Sequence, residues 1–346
     1  MKRVNVLLTG AGGNQAVFIW KALRQGSIPV RIVATDCKPL AVGLYRAERS
    51  YLVPRADSSQ YLAEMMALFK KEQIDIVMVG DMAEQRMLAH HAEVIRAETG
   101  AFVVSSPPEI LAKAEDKWDL VQFLAANGFD YPRSVLPTDH EALNRFLAEV
   151  PFPYIVKSRL GAGSQGLAVA KNADELSFFI RSVPGPVIQE YLLPDDEEYT
   201  VGCFMNSKGG AVGSIVMRRK LGMGLTNRAE VVESELISQV CEDIAARIGL
   251  VGPCNLQLRL TSRGPVLFEI NPRFSSTESA RAYYNFNAPE MCIRHYVFGE
   301  ELERPAVRKG VFFRVLDDVF VDKEQVSTLE REGYLEGPSG VMLQSF

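Results

Sequence analysis

Residues 4–36 carry the pattern that most restricts the fold. Val4 to Leu8 is a short apolar run ending in Thr9-Gly10-Ala11-Gly12-Gly13, helical spacing follows through Val17, Trp20 and Leu23, and a second run from Val30 to Ala34 closes on Asp36. A strand that turns through glycines into an amphipathic helix and returns as a strand is a β-α-β unit, which requires parallel pairing and a sheet covered on both faces. Strand-like runs at Ile74 to Val79 and Ala101 to Val104 extend it, so residues 1–105 read as a doubly wound α/β domain. A dinucleotide fingerprint would need Gly-x-Gly-x-x-Gly, and after Gly10 and Gly12 the third position is Gln15, although Asp36 stands at a tolerable distance for a ribose. A tight strand-to-helix turn without a cofactor explains the same residues.

Ser106-Pro107-Pro108-Glu109 combines an N-cap serine, a proline at the first helical position and a glutamate three residues after the cap, and predicts a helix running to Asn127-Gly128. Capping boxes at Thr138 to Glu141 and Asn172 to Glu175 open two more helices beside strands at Tyr154 to Lys157 and Leu167 to Ala170, an α+β lobe over 106–186. From Val187 the pattern becomes mainly antiparallel sheet, with strands at Val187 to Glu190, Glu198 to Met205, Ala211 to Met217, Gly252 to Leu260 and Val266 to Ile270 and a helix at Glu235 to Ile248. That lobe is expected over 187–305, with 306–346 packing on it as an extension.

Two local patterns carry chemistry. Pro153-Tyr154-Ile155-Val156-Lys157 ends a strand with a cation, and Gly161-Ala162-Gly163-Ser164-Gln165-Gly166 follows, so flexible backbone N–H groups and an ammonium could close over phosphates. It is not a Walker loop, because no Gly-Lys-Ser/Thr ends it; a plain hairpin is the bland alternative. The second is Asn255 to Leu260, the turn Ser262-Arg263-Gly264, and the return Val266 to Asn271. A three-residue turn pairing Thr261 with Pro265 places Gln257 opposite Glu269, with Asn271 on the same face. A carboxylate and two amide oxygens suit Mg²⁺, with Mn²⁺ an alternative, its other positions going to water and phosphates. Arg273 follows at once, where a guanidinium could brace a phosphoryl group.

Taken together, residues from about Ser106 to Gly299 resemble the ATP-grasp superfamily. The resemblance rests on Ala114-Glu115-Asp116-Lys117, Ile155-Val156-Lys157 with its glycine loop, Gln189-Glu190-Tyr191-Leu192, Glu198-Tyr199-Thr200-Val201 and Phe268-Glu269-Ile270-Asn271-Pro272-Arg273, in that order. The run Asn271 to Thr277 is similar to the carbamoyl-phosphate synthetase large subunit and its single-module relatives. This implies α/β plus α+β architecture: a doubly wound pre-ATP-grasp domain that has usually lost nucleotide binding, then a two-lobed ATP-grasp fold. The resemblance implies that Lys117 and Lys157 contact ATP phosphates under a lid formed by Gly163, Ser164, Gln165 and Gly166. Glu190, Tyr191 and Leu192 would hold adenine through their backbone, and Glu198 the ribose. Gln257, Glu269 and Asn271 would share Mg²⁺, with Arg273 on the transferred phosphoryl group and Arg218 or Arg219 assisting. Ser275 and Ser276 look like a helix N-terminus and are expected to meet a substrate carboxylate.

The chemistry so implied is ATP-dependent joining of a small carboxylate to an amine through an acyl phosphate. The alternatives are a module that phosphorylates bicarbonate or carbamate, and a nucleotide-binding protein without catalysis. With 38 Lys and Arg against 43 Asp and Glu, and no basic tract, nucleic acid is not an expected partner. No apolar run nears the 18 or so residues that span a bilayer. Five scattered cysteines without a Cys-x-x-Cys pair, and four histidines without metal-ligand spacing, point to a reduced, cytoplasmic protein whose metal is a hard cation. A homodimer is left open.

Overall fold

The computed structural model describes residues 3–161, 166–222, 224–315 and 318–342. The first unit alternates β1 (Val4–Leu8), α1 (Asn14–Gln25), β2 (Val30–Asp36), β3 (Arg49–Leu52), α2 (Tyr61–Lys71), β4 (Ile76–Met78), α3 (Met82–His90), α4 (Ala92–Thr99) and β5 (Phe102–Val104). Its strands pair in parallel in the order β3-β2-β1-β4-β5. Both faces are covered, as near-continuous apolar strands require: Val6, Leu8 and Ile32 pack in one core, Leu7, Val33 and Val77 in another.

The helix foreseen from Ser106 to Asn127 is two helices, α5 (Pro108–Glu115) and α6 (Lys117–Ala126), because extended Asp116 breaks the chain and caps the second through the amides of Trp118 and Asp119. Ser106 is not the cap of α5. Its hydroxyl exchanges hydrogen bonds with the backbone of Val251, and Pro107 holds the cap position. Both helices pack their apolar faces, including Leu120 and Leu124, against strands of the third unit.

The small sheet contains β6 (Ser134–Val135), β7 (Tyr154–Ser158), β8 (Leu167–Ala170) and β9 (Pro186–Glu190) in the order β6-β9-β7-β8, backed by α7 (His140–Glu149) and α8 (Ala173–Ser182). Strand β9 therefore lies in the small sheet rather than opening the large lobe at 187. Next come β10 (Glu198–Met205), β11 (Ala211–Gly222), β12 (Leu225–Val231), α9 (Glu235–Ile248), β13 (Gly252–Thr261), β14 (Gly264–Asn271), α10 (Glu278–Tyr283), α11 (Ala288–Cys292) and β15 (Gly310–Phe313). The large sheet runs β14-β13-β10-β11-β12-β15, all antiparallel.

One face of this sheet, with Tyr199, Val201, Leu256, Leu258 and Leu267, packs on α9 and forms a closed apolar core. The other carries Glu198, Thr200, Asn255, Gln257, Glu269 and Asn271, since directly paired residues share a face. Gly202 lies on that polar face and a Cβ there would stand 2.5 Å from the Arg281 guanidinium, so only glycine fits.

The final segment does not pack on the large lobe alone. Strand β15 extends the large sheet, whereas, after β16 (Val319–Phe320) and α12 (Lys323–Glu332), β17 (Tyr334–Glu336) pairs antiparallel with β3 of the first sheet. The last strand, β18 (Val341–Met342), pairs with β16. No helix among the described residues is long and apolar enough to cross a membrane.

Candidate active site

The turn of the β13–β14 hairpin is one residue shorter than its sequence predicts. Thr261 pairs with Gly264, not Pro265, and Gly264 takes a φ of +104° to make the turn. Gln257 nevertheless stands opposite Glu269, because Phe268 is inserted as a bulge between the Leu258–Leu267 and Gln257–Glu269 pairs. The bulge changes which face the later residues occupy: Leu267 packs in the core while Glu269 and Asn271 turn to the polar face. The amine of Lys157 donates to the carbonyl of the bulged Phe268 at 3.1 Å.

Lys157 is 5% exposed. Burial pushes its pKa down to about 8, against the pull of Glu269 and with Lys117 pushing the same way. Lys117 opens α6 and donates to the carbonyl of Gly161 at 2.8 Å; burial lowers its pKa too, and Glu269 opposes this. Two partly desolvated ammonium groups thus flank one carboxylate. Arg159 holds the turn at Asp116 in place, with Nη2 2.7 Å from Oδ2.

A cavity of about 240 Å³ lies between the sheets, with Ile155, Lys157, Leu167 and Val169 on one wall and Leu221 and Phe268 on the other. Glu190, Tyr191 and Leu192 close one end, and Glu198 and Arg259 border it. The Glu190 side chain is turned to structural work, accepting from the Arg133 amide and from Arg263. Glu198 is clamped by two guanidinium groups, 2.9 Å from Arg219 Nε and 2.7 Å from Arg259 Nη2. Arg219 also donates to Gln257 Oε1 at 2.6 Å.

Arg218 does not join this group. It points to the opposite side of β11, where it pairs with Glu197 and Glu230, while Arg219 lies two residues beyond Met217 on the face that meets Thr200. Sequence left the choice open because both are arginines in one strand, and only the neighbouring strand's register resolves it.

Glu269 Oε1 accepts from Asn271 Nδ2 at 2.8 Å, and Asn271 Oδ1 accepts from Arg273 at 2.7 Å. Arg273 is half-buried, its Nε is enclosed without an acceptor, and desolvation lowers its pKa despite the nearby Glu269 and Glu115. Ser275 and Ser276 do not present a free helix end. The Ser275 amide is taken by Glu278 Oε1 at 2.8 Å, its hydroxyl meets Thr277, and the Ser276 carbonyl accepts from Arg314. A carboxylate of the chain already fills the place expected for the substrate's. Gly166 adopts a φ of +70° beside Ser158, while Gly163, Ser164 and Gln165 lie outside the described residues.

The donor set fits a hard cation. Gln257, Glu269 and Asn271 offer oxygens only, and no group of three or more His, Cys, Asp or Glu among the described residues could hold a metal by itself. In the first unit, Gly12, Gly43 and Gly80 are required by packing: a Cβ at Gly43 would meet the Ala11 carbonyl at 2.3 Å and one at Gly80 the Thr9 carbonyl at 2.4 Å. The adjoining cavity is lined by Asp36, Asp57, Asp81 and Glu84, an unfavourable setting for a pyrophosphate.

Two sheets closing on a lysine, a hinge and an acid–amide hairpin reproduce a known architecture. The fold is that of the ATP-grasp superfamily. Residues 183–319 match the family described as "ATP-grasp in the biosynthetic pathway with Ter operon", and residues 6–101 match "PylC-like, N-terminal domain". The carbamoyl phosphate synthase large chain of Campylobacter jejuni is 23% identical over 192 residues, 51% of this chain and 18% of that one. The chain thus spans about a fifth of that relative's length. Among solved structures, the N5-carboxyaminoimidazole synthetase of Staphylococcus aureus complexed with ADP superposes with a TM-score of 0.70 at 13% identity, over 95% of this chain and 85% of that one. The L-amino acid ligase of Bacillus licheniformis gives 0.64 at 16% identity, over 93% and 83%. The ATP-grasp similarities thus reach enzymes named as synthases and ligases.

Proposed function

We propose that the chain is an ATP-dependent carboxylate–amine ligase. The γ-phosphoryl group of ATP passes to a small carboxylate, and an amine displaces phosphate from the acyl phosphate to give an amide, ADP and phosphate. The observation that carries this is that Lys157, residues 190–192 and clamped Glu198 line one cavity, that Arg219 ties Glu198 to Gln257 on the same sheet face, and that Glu269 and Asn271 line a neighbouring recess with Lys117. Phosphoryl transfer asks a protein for positioning and charge stabilisation more than for covalent chemistry, and this set supplies both.

In this reading Lys157 and Lys117 take phosphate oxygens, which restores charge partners to two desolvated amines. The hinge backbone meets the adenine edge, and Glu198, fixed by Arg219 and Arg259, accepts from ribose hydroxyls. Gln257, Glu269 and Asn271 hold Mg²⁺, which when bound neutralises phosphate charge. Arg273, with Nε unpartnered, receives the oxygens of the transferred group.

The carbamoyl phosphate synthase similarity favours a second reading, in which bicarbonate or carbamate is the phosphoryl acceptor. ADP release measured against panels of small acids, amines and bicarbonate separates the two. A carboxylate labelled with heavy oxygen should deliver one labelled atom to the released phosphate; unlabelled phosphate rules out the acyl phosphate.

A further inference from the structure

A second cavity lies outside the proposed nucleotide cleft. It occupies about 520 Å³ at the C-terminal ends of β1, β2 and β4, floored by the Gly10–Gly13 turn. Three carboxylates face it without an ion pair among the described residues: Asp36, Asp81 and Glu84. Asp57 also lines it but is spent on Arg55, 3.1 Å away, and Lys38 is exposed at the rim. Asp36 accepts the amides of Gly12 and Lys38, and Asp81 Oδ1 caps α3 through Ala83 and Glu84.

Glu84 is different. It is 7% exposed, its Oε1 accepts from the Tyr61 hydroxyl at 3.0 Å, and its Oε2 has no hydrogen-bond partner. A buried carboxylate oxygen without a donor costs folding free energy and calls for a cation or hydrogen-bond donor from outside the chain. The positive ends of α1 and α3 also point here, but each carries only about half a charge, less than the three carboxylates together.

We propose that this cavity binds a small primary amine, its ammonium group held by Glu84 and Asp81. The position suits the amine of the ligase reaction, and to that extent the inference rests on the function proposed above. Asp81 precedes Met82, which lines a small recess with Lys117, Glu269 and Asn271. Gln85, one turn along α3, donates to the carbonyl of Pro272 at 2.9 Å, tying the acidic turn to the strand end that carries Arg273. In that role the bound ammonium passes a proton to Glu84, and the neutral amine so freed displaces phosphate from the acyl phosphate. Charge state agrees with this role: burial raises the Glu84 pKa to about 7, Thr9 and Tyr61 lower it, and Asp81 and Asp36 raise it further. Cys37, Lys38, Arg55 and Asp57 are the other titratable groups lining the cavity, and an ammonium would drive Glu84 to its ionised form.

The test is calorimetric titration of the full chain, without nucleotide, using 1,4-diaminobutane as probe and 1,4-butanediol as its uncharged counterpart. Saturable one-site binding of the diamine alone is expected, weakened at least tenfold in Glu84→Gln and in Asp81→Asn, both of which keep the local hydrogen-bond acceptors. Asp57→Asn, at the paired rim, should leave affinity within twofold. Titrations at pH 6.5 in buffers of different ionisation enthalpy should show a proton released on binding. Equal affinity for diamine and diol, or unchanged affinity in both Glu84→Gln and Asp81→Asn, overturns the assignment. Mg-ADP binding is measured in parallel: a chain that binds ADP but no amine loses only this pocket, and one that binds amine but no nucleotide loses the ligase reading instead.

Discussion

Replacing Lys157 by methionine separates what this side chain does for the fold from what it does for a nucleotide. Its amine is buried, donates to one carbonyl, and has its pKa lowered from 10.5 to about 8. At about 1.4 kcal/mol per pKa unit, keeping it charged near neutral pH costs the unliganded fold on the order of 3 kcal/mol. The folded state gives up this proton before the unfolded state does. The penalty is therefore present in full below pH 8 and relieved as pH rises from about 8 to 10.5. Methionine fills similar volume without the charge, and the lost bond to the Phe268 carbonyl costs back about 1–3 kcal/mol. Unliganded Lys157→Met should thus melt at the wild-type temperature or a few degrees above it at pH 7, with any advantage fading by pH 10. Nucleotide binding should move the other way. A charge-assisted hydrogen bond to phosphate is worth about 1.5–3 kcal/mol, so calorimetric titration should show Mg-ADP affinity falling about 10- to 150-fold. Wild-type affinity should itself weaken as pH rises through about 8 and Lys157 loses its proton. Mg-ADP affinity within twofold of wild type would falsify the phosphate assignment, and a marked drop in melting temperature would show that the amine supports the fold.

Glu269→Gln should raise the Mg²⁺ concentration needed for half-maximal ADP release at least tenfold, whereas Glu300→Gln, which only loosens an exposed pair with Arg294, should leave it unchanged; equal effects would remove the metal from this hairpin. Arg219→Met releases Glu198 and Gln257 together and should weaken ATP binding about tenfold or more, while Arg218→Met should change it by less than twofold, both read by titration. Arg281→Met leaves buried Glu278 without its cation and should destabilise the chain by about 3–5 kcal/mol in denaturant melts, because an uncompensated buried charge remains; a loss below about 1 kcal/mol would mean that Glu278 is folded in its neutral form.

Much of the fold was legible because its signals are local. The glycine turn after Val4–Leu8, the apolar strands around it and the helix Glu235–Ile248, capped by Ser234 and stopped by left-handed Gly249, depend on residues within a turn or two of one another. The long helix foreseen to Asn127 failed because its break depends on a distant partner. Asp116 reads as an ordinary helical residue until Arg159, 43 positions away, holds its carboxylate at the cap.

The candidate site shows where that legibility ends. Sequence alone brought Gln257, Glu269 and Asn271 together, but through a turn one residue too long. The agreement survives because the bulge at Phe268 restores the register, and strand alternation announces no bulge in advance. The choice of Arg219 over Arg218, the placing of β9 in the small sheet and the return of β17 to β3 all turn on partners distant in the chain. So does the acidic cavity, where Asp36 at the end of β2 meets Asp81 and Glu84 at the start of α3, carboxylates that look solvated in the sequence. The sequence determined which segments form strands and helices and which side chains alternate, because those follow from backbone period and capping within a few residues. Tertiary structure alone decided which charges meet and which stay unpaired, because burial and Coulomb energy depend on distances that the chain sets only when its sheets close on one another.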